Sequence, residues 1–261
     1  MPQLDLTLVD SSTLGHKIQA PKKVHKISFT ELGASFIPFA IIIIFVYSTI
    51  LPYNSNLNLL LRTRFGFDAV TAGKIIVRYF GLMLFQAYPT LFMNFFCPLI
   101  GVLSDRSGKR GTILIFAVCC LMSSHLFLAF LPTCPTSGTP DVKAARCRDD
   151  SLAWLMVPQI LFLIGYSTFA ANVWAMLRLI QHKHTRAMAL GVSNSVQNGS
   201  YLLSNLMIAG VLDAGARSPE SYVQVSLMMA VLNGVSVLTQ VVWGCKEGHR
   251  LNFKKRKTAH Q

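Results

Sequence analysis

The stretch GVLSDRSGKR, residues 101–110, decides how the chain is read. It is a tight charged turn between two long apolar runs, roughly 75–100 and 111–131. Most other charge clusters sit at the ends of the chain or in long loops, but this one fills a connection too short to be a domain. About 20 helical residues cross a hydrocarbon core of about 30 Å. A short polar link between two runs of that length predicts a hairpin of membrane-spanning helices.

Composition agrees. The chain has 261 residues, of which 52% are hydrophobic and 13% charged, where a soluble domain carries about 25% charge. Mean hydropathy is +0.46. The first 30 residues are polar, carry Lys17, Lys22, Lys23 and Lys26, and lack the apolar core of a cleavable signal peptide, so none is expected. A net charge of +13 raises nucleic acid as a partner. The distribution argues against it, because the basic residues fall at the ends of apolar runs, as the positive-inside rule requires. The tail residues Lys254, Lys255, Arg256 and Lys257 are placed to touch anionic lipid.

Outward from the turn, the hydropathy pattern predicts an all-α membrane protein, a six-transmembrane-helix bundle. The spans are about 32–53, 73–100, 111–131, 152–178, 187–212 and 222–244. Pro38 is expected to kink the first span and Pro52 to mark its far end, with the leucines before Gly66 able to prolong it. The domain reading is a polar amino-terminal segment, 1–30, a transmembrane domain, 31–245, and a basic tail, 246–261. Six spans put both termini on one side. Arg62, Arg64, Lys74, Arg78, Lys143, Arg146, Arg148 and Arg217 fall on the opposite side, and the other two-thirds of the 24 basic residues share the side of the turn. That bias predicts that the turn and both termini are cytosolic. The sequon Asn198-Gly199-Ser200 lies inside the fifth span and is not expected to be glycosylated.

Two polar stripes run through the spans. Asn194, Asn198, Tyr201 and Asn205 recur at helical spacing, with Gln197 and Ser204 beside them. Arg78, Gln86, Thr90 and Asn94 wind more slowly round the second span. Such faces meet protein or a water-filled cavity rather than lipid, either as cavity lining or as hydrogen-bonded helix contacts. Tyr47, Asn54, Tyr166 and Trp174 are further cavity candidates, whereas Trp154 and Trp243 read as interface anchors. None of the 11 acidic residues lies in the middle of a span, so the chain offers no buried carboxylate as a proton relay. His125 is the titratable group deepest in a span, and the preferred reading is a helix-packing donor over a proton carrier. Cys97, Cys119 and Cys120 read as packing residues. Cys134 and Cys147 share one polar loop and form a disulfide if that loop faces an oxidising compartment. There is no Ser-His-Asp constellation, metal cluster or phosphate loop, so neither an enzyme, a cofactor nor a bound metal is expected.

The turn pattern Gly-x-x-x-Asp-Arg-x-Gly-Lys-Arg resembles the loop motif of the major facilitator superfamily. Asp105 stands at the end of one helix, where it can meet a basic residue and a neighbouring helix N-terminus, and Gly108 permits the reversal. Gly101 is expected to allow close backbone approach of two helices. The resemblance implies a gating role for Gly101, Asp105, Arg106, Gly108, Lys109 and Arg110. Further stretches, FGFDAVTAGKI, SSHLFLAF, LIGYSTFAANVWAM and above all ALGVSNSVQNGSYLLSNLMIAGVLD, resemble the carboxyl-terminal half of the lysosomal dipeptide transporters of that superfamily, over about residues 30–255. The resemblance implies one half of a twelve-helix fold, uniport of dipeptides, a lysosomal or vacuolar membrane, and a glycosylated accessory subunit. It also implies that a half needs a partner: a missing amino-terminal half or a second copy. The alternative reading is a non-transporting membrane subunit, a truncated pseudo-transporter that binds a partner protein.

Overall fold

A computed structural model describes residues 32–74, 89–133 and 142–251. The chain divides into a short unit, Met1–Glu31, outside the described residues, and a helical unit, Leu32–Gln261. The described residues form seven helices and no strand: α1 (Phe36–Phe65), α2 (Ala69–Lys74), α3 (Pro89–Ser107), α4 (Arg110–Phe130), α5 (Val142–Ile180), α6 (Arg186–Ala214) and α7 (Pro219–Leu251). α1 packs against α6 and α7, α4 against α5 and α7, and α3 against α5.

Among the described residues, four helices are long and apolar enough to cross a membrane: Phe36–Phe65, Arg110–Phe130, Trp154–Ile180 and Pro219–Glu247. Two of the six expected spans are thus not among them, for different reasons. The second falls partly on residues 75–88, which lie outside the described residues. The fifth is α6, whose 29 residues suffice in length, but whose asparagines, glutamine and serines lower its hydropathy. Many large apolar side chains of the described helices face outward, with Phe130 80%, Leu238 67%, Val231 65% and Leu202 63% exposed. Water-soluble proteins rarely expose so much contiguous apolar surface, so this surface belongs against lipid.

α1 is the axis of the core. Phe39, Ile42, Ile43, Val46, Ile50, Tyr53, Leu57, Leu60, Leu61 and Phe65 recur at three- and four-residue intervals and are buried. The helix runs further than the expected span and ends at Gly66 (φ 67), whose amide bonds the Leu61 carbonyl. Pro38 does not kink it. It lies in the first turn, where amides have no intrahelical acceptor in any case. Pro52 does not end it either. A proline at 52 leaves the Ser48 carbonyl without its helical donor. Ser204 Oγ of α6 donates to that carbonyl, and Ser48 Oγ donates in return to the Ser200 carbonyl at 3.5 Å. The break is thereby turned into a contact between α1 and α6, as bilayer helices require.

α2 is held by Asp68. Its carboxylate accepts the amides of Thr71 at 2.9 Å and Val70 at 3.1 Å. The Thr71 hydroxyl first, then these amides, hold Asp68 below the usual carboxylate range. The cap is therefore complete above the ordinary carboxylate pKa of about 3.9 and is lost only as pH falls through the lower folded value. Hydrogen exchange at the Val70 and Thr71 amides should accordingly show protection that is flat from neutral pH down to about 4. Protection that declines already at pH 5–6 would contradict this cap.

Candidate functional site

The charged turn is built as a helix end, a two-residue reversal and a helix start. α3 closes at Ser107, Gly108 takes the left-handed conformation (φ 65), and α4 begins at Arg110. The Gly108 amide donates to the Ser104 carbonyl at 3.0 Å. Asp105 on the last turn of α3 forms an ion pair with Arg110, the first residue of α4. Its carboxylate thus stands beside a helix N-terminus that has no side-chain cap, where the helix dipole favours an anion. Arg106 and Lys109 are exposed. Gly101 departs from expectation: no described atom lies within 4 Å of where its Cβ would stand. It admits no close helix approach among the described residues.

Ser104, inside the same motif, is 1% exposed and donates to Asn172 Oδ1 of α5. Asn172 Nδ2 in turn donates to the Thr168 carbonyl at 2.8 Å. The turn is therefore tied to α5 through a buried bond as well as to α4 through an exposed one. Sequence reasoning missed Ser104 and Asn172. The available signal was a lone asparagine in the middle of a span, where an unpaired amide costs several kcal/mol, on the order of 2–7.

The polar candidates gather on two flanks of α1. On one flank, Tyr47 is buried and stacks edge-on against Phe169 of α5 at 5.7 Å. The Trp174 indole lies within reach of its hydroxyl, with Tyr166 and Cys97 beside it. Asn54 lies two turns from Tyr47 on the same face of α1, half-buried. On the other flank, Ser193, Ser200 and Ser204 of α6 are buried. The asparagine stripe runs alongside them: Asn194 and Asn198 are exposed, while Gln197, Tyr201 and Asn205 are half-buried. The Tyr201 and Ser55 hydroxyls meet at 3.1 Å, and Asn205 Nδ2 donates to the Tyr201 carbonyl at 2.9 Å. One edge of the stripe thus serves helix contact, and its outer edge, Asn194 and Asn198, is left open on the bundle surface. Arg78 and Gln86, the side chains of Thr90 and Asn94, and the proposed Cys134–Cys147 pair lie outside the described residues.

Three further expectations meet the structure here. His125 is fully buried between Tyr53 (5.2 Å) and Phe162 (6.0 Å), both edge-on. Neither of its ring nitrogens has a hydrogen-bond partner among the described residues, so it packs as an aromatic ring and is not a helix-packing donor. Trp154 is 60% exposed, as an interface anchor is, but Trp243 is only 5% exposed and packs into the core. Arg64, counted above only as a basic residue on the far side, is wholly buried at the opposite end of the bundle from the turn. There its guanidinium donates to the carbonyls of Leu128, Ala129 and Leu131 at the end of α4.

No family model matches the chain. Its curated relatives include the lysosomal dipeptide transporter MFSD1 of Bos taurus, 23% identical over 246 residues, a match that covers 93% of this chain and 45% of the relative. The protein of the same name from Mus musculus is 27% identical over 117 residues, 45% of this chain and 21% of the relative. That from Homo sapiens is 25% identical over 160 residues, 61% and 30% respectively. The chain spans about half the length of the relatives it matches. It is an all-helical membrane protein that resembles, along nearly all of its own length, about half of an MFSD1 lysosomal dipeptide transporter.

Proposed function

We propose that the chain is one six-helix half of a facilitator-type transporter that moves small organic solutes, dipeptides foremost, across a lysosomal or vacuolar membrane by alternating access. The observation that carries this reading is the likeness to MFSD1 over 93% of the chain. The charged hairpin between α3 and α4 supports it, as the motif-bearing connection between the second and third spans. In this reading α6 is the fifth span. Its open asparagines, Asn194 and Asn198, face a second six-helix unit or the solute path rather than lipid. Tyr47, Asn54, Tyr166, Gln197 and Tyr201 line the path from the α1 side, and Arg78, Gln86 and Asn94 complete it from the second span. Residues 1–30 and 246–261 lie in the cytosol with the turn. Uniport is favoured, because no span carries a carboxylate in its middle. The same open face of α6 supports the alternative, a membrane subunit that binds a partner without transporting.

Reconstitution decides between them. The folded, inserted protein is tested for counterflow of labelled dipeptides, alone and with the amino-terminal half of a relative supplied. Counterflow of at least one dipeptide is expected when both halves are present. If no dipeptide moves under either condition, the substrate assignment is rejected.

The turn makes its own prediction. The Asp105–Arg110 pair is exposed, and such pairs contribute about 1 kcal/mol or less. Asp105→Asn should therefore change the transport rate by up to about fivefold and leave insertion and yield unchanged. Equal rates for variant and parent would count against a gating role.

A further inference from the structure

We propose that the groove between the start of α1 and the end of α7 binds an anionic phospholipid of the surrounding leaflet, with one acyl chain along the groove and the headgroup phosphate paired with Lys246. The groove has a volume of about 550 Å³, within the range of about 300–1,000 Å³ typical of ligand sites. Ile37, Pro38 and Ile41 line it on the α1 side, and Val235, Leu238 and Val242 on the α7 side. Trp243, which also lines it, is buried, whereas Ile37, Leu238 and Val242 are exposed. The groove therefore opens from the core onto the surface that lies against lipid. The site rests on the membrane-spanning reading of the bundle and not on transport.

The polar groups of the groove sort by position. Thr239 is the one hydroxyl that lines it, and its Oγ1 donates to the Val235 carbonyl of its own helix at 2.9 Å. The Trp243 indole nitrogen is closed off. The Phe36 and Ile37 amides donate to the Gly33 and Ala34 carbonyls at 3.2 and 3.3 Å, and Pro38 has no amide hydrogen. Along this stretch the groove takes hydrocarbon, because it offers a polar solute no free hydrogen-bonding group. Charge is confined to one end, at Lys246 and Glu247. The Glu247 carboxylate is engaged by Ser35, whose Oγ donates to both of its oxygens. Lys246 is exposed, and among the described residues its ammonium forms no ion pair. It is the free charge of the groove, and its sign selects an anionic headgroup.

The dimensions suit one leaflet. From Val235 to Lys246 the groove follows α7 for about 16 Å, close to half of a hydrocarbon core of about 30 Å. Lys246 stands where the apolar span Pro219–Glu247 ends. A chain in the groove thus runs from the leaflet surface to the middle of the bilayer, with its phosphate level with the ammonium. Trp243, Gly244 and Cys245 line a smaller cavity with Gly111, the second residue of α4, which puts this end of α7 at the membrane face of the charged turn. In the proposed orientation that face is cytosolic, and its leaflet is the one rich in anionic lipid.

The full chain is reconstituted in phosphatidylcholine vesicles with a trace of phospholipid that carries a photoreactive group midway along one acyl chain. The trace lipid has either a phosphatidylserine or a phosphatidylcholine headgroup. Irradiation should link the serine lipid to peptides containing residues 37–41 or 235–242 at about fivefold the yield of the choline lipid. Lys246→Gln should bring the two yields together, whereas Lys254→Gln, on the tail, should keep them apart. Leu238→Trp, at an exposed position, should fill the groove and lower the links there at least twofold, while links to the exposed apolar residues within 202–207 of α6 persist. Both groove variants should elute as the parent does in size-exclusion chromatography. Equal yields for the two lipids in the parent, a preference that survives Lys246→Gln, or an equal loss in Lys254→Gln overturns the headgroup contact. Links spread evenly over the groove and residues 202–207 mean bulk lipid only, and unlinked groove peptides mean that protein fills the groove. Either result overturns the site.

Discussion

Arg64→Ala should destabilise the bundle by about 3 kcal/mol or more, the largest loss expected for any single polar side chain in it. α4 ends at Phe130 with Leu131 as its cap, and of its last carbonyls only that of Leu128 has a backbone donor, the Leu131 amide at 3.4 Å, among the described residues. The Arg64 guanidinium donates to these carbonyls, with Nη1 to the Leu128 carbonyl at 2.6 Å and Nη2 to that of Ala129 at 3.0 Å and to that of Leu131. Among the described residues no carboxylate forms an ion pair with the charge. Its burial is offset by three charge-assisted bonds, by the negative end of the α4 dipole, and by the Phe65 ring 5.4 Å below its central carbon. Truncation leaves the Leu128 carbonyl with only the long Leu131 amide bond (3.4 Å) and strands the Ala129 and Leu131 carbonyls among the described residues, each stranded acceptor costing about 1–3 kcal/mol. Arg64→Lys should recover only part of this, because an ammonium lacks the planar fork that reaches three carbonyls at once. Thermal unfolding in detergent should rank parent, lysine and alanine in that order, with hydrogen exchange in the last turn of α4 rising in step. An alanine variant that melts with the parent would show that the carbonyls find other donors.

The same bonds say which parts of the chain move together. α1 is fastened to α4 by Arg64 at one end. In its middle, Thr49 bonds Asn233 of α7 at 3.2 Å, and Ser48 exchanges bonds with Ser200 and Ser204 of α6. At the end near the turn, Ser35 Oγ donates to both Glu247 oxygens, at 2.7 and 2.9 Å, where α7 kinks. A helix fixed at both ends and in the middle does not slide past its neighbours. In the proposed transporter, motion therefore falls between this bundle and a second one, with the exposed Asp105–Arg110 pair and the open Asn194 and Asn198 at the moving surface.

Much of this was legible in the sequence because it is local. The turn, the ends of α4 and the stop at Gly66 follow from charge, hydropathy and glycine within a few positions. The serine and asparagine faces of α6 follow from a period of 3.6. The rest depends on reach between helices, which periodicity does not encode. Arg64 looked like a loop charge because nothing near it in sequence reveals a helix end 64 residues away. Pro52 looked like a terminus because its rescue comes from Ser204, on another helix. His125 was assigned a donor's role from its chemistry alone, but Tyr53 and Phe162 present it with rings. Gly101 was assigned a close approach from its place in the motif, and among the described residues no neighbouring helix comes within 4 Å of its Cβ position.

A close approach of two helices is found instead at Gly165. A Cβ at this position would stand 2.8 Å from the Ala117 carbonyl oxygen, 2.9 Å from Leu121 Cγ and 3.0 Å from the Leu121 amide nitrogen. Two of these three atoms are backbone, so the clash is relieved only by moving α4 away from α5. Two effects then compete in Gly165→Ala. Alanine gains about 1 kcal/mol of helix propensity over glycine, while overpacking a tight contact costs about 1–3 kcal/mol. The alanine variant should be destabilised slightly. Gly165→Leu gains the same propensity but adds three more heavy atoms to a space that does not hold one. It should fall at or beyond the upper end of that range, and the first contacts to part should be those one to two turns away on the same seam. On the α4–α5 seam this is the bond from Ser124 Oγ to the Pro158 carbonyl at 2.7 Å, and next to it the bond from Gln159 of α5 to the Tyr53 hydroxyl of α1. Yield and melting temperature in detergent should fall in the order parent, alanine, leucine. If the leucine variant instead melts with the parent, α4 and α5 are free to separate, and the bundle is not rigid at this seam.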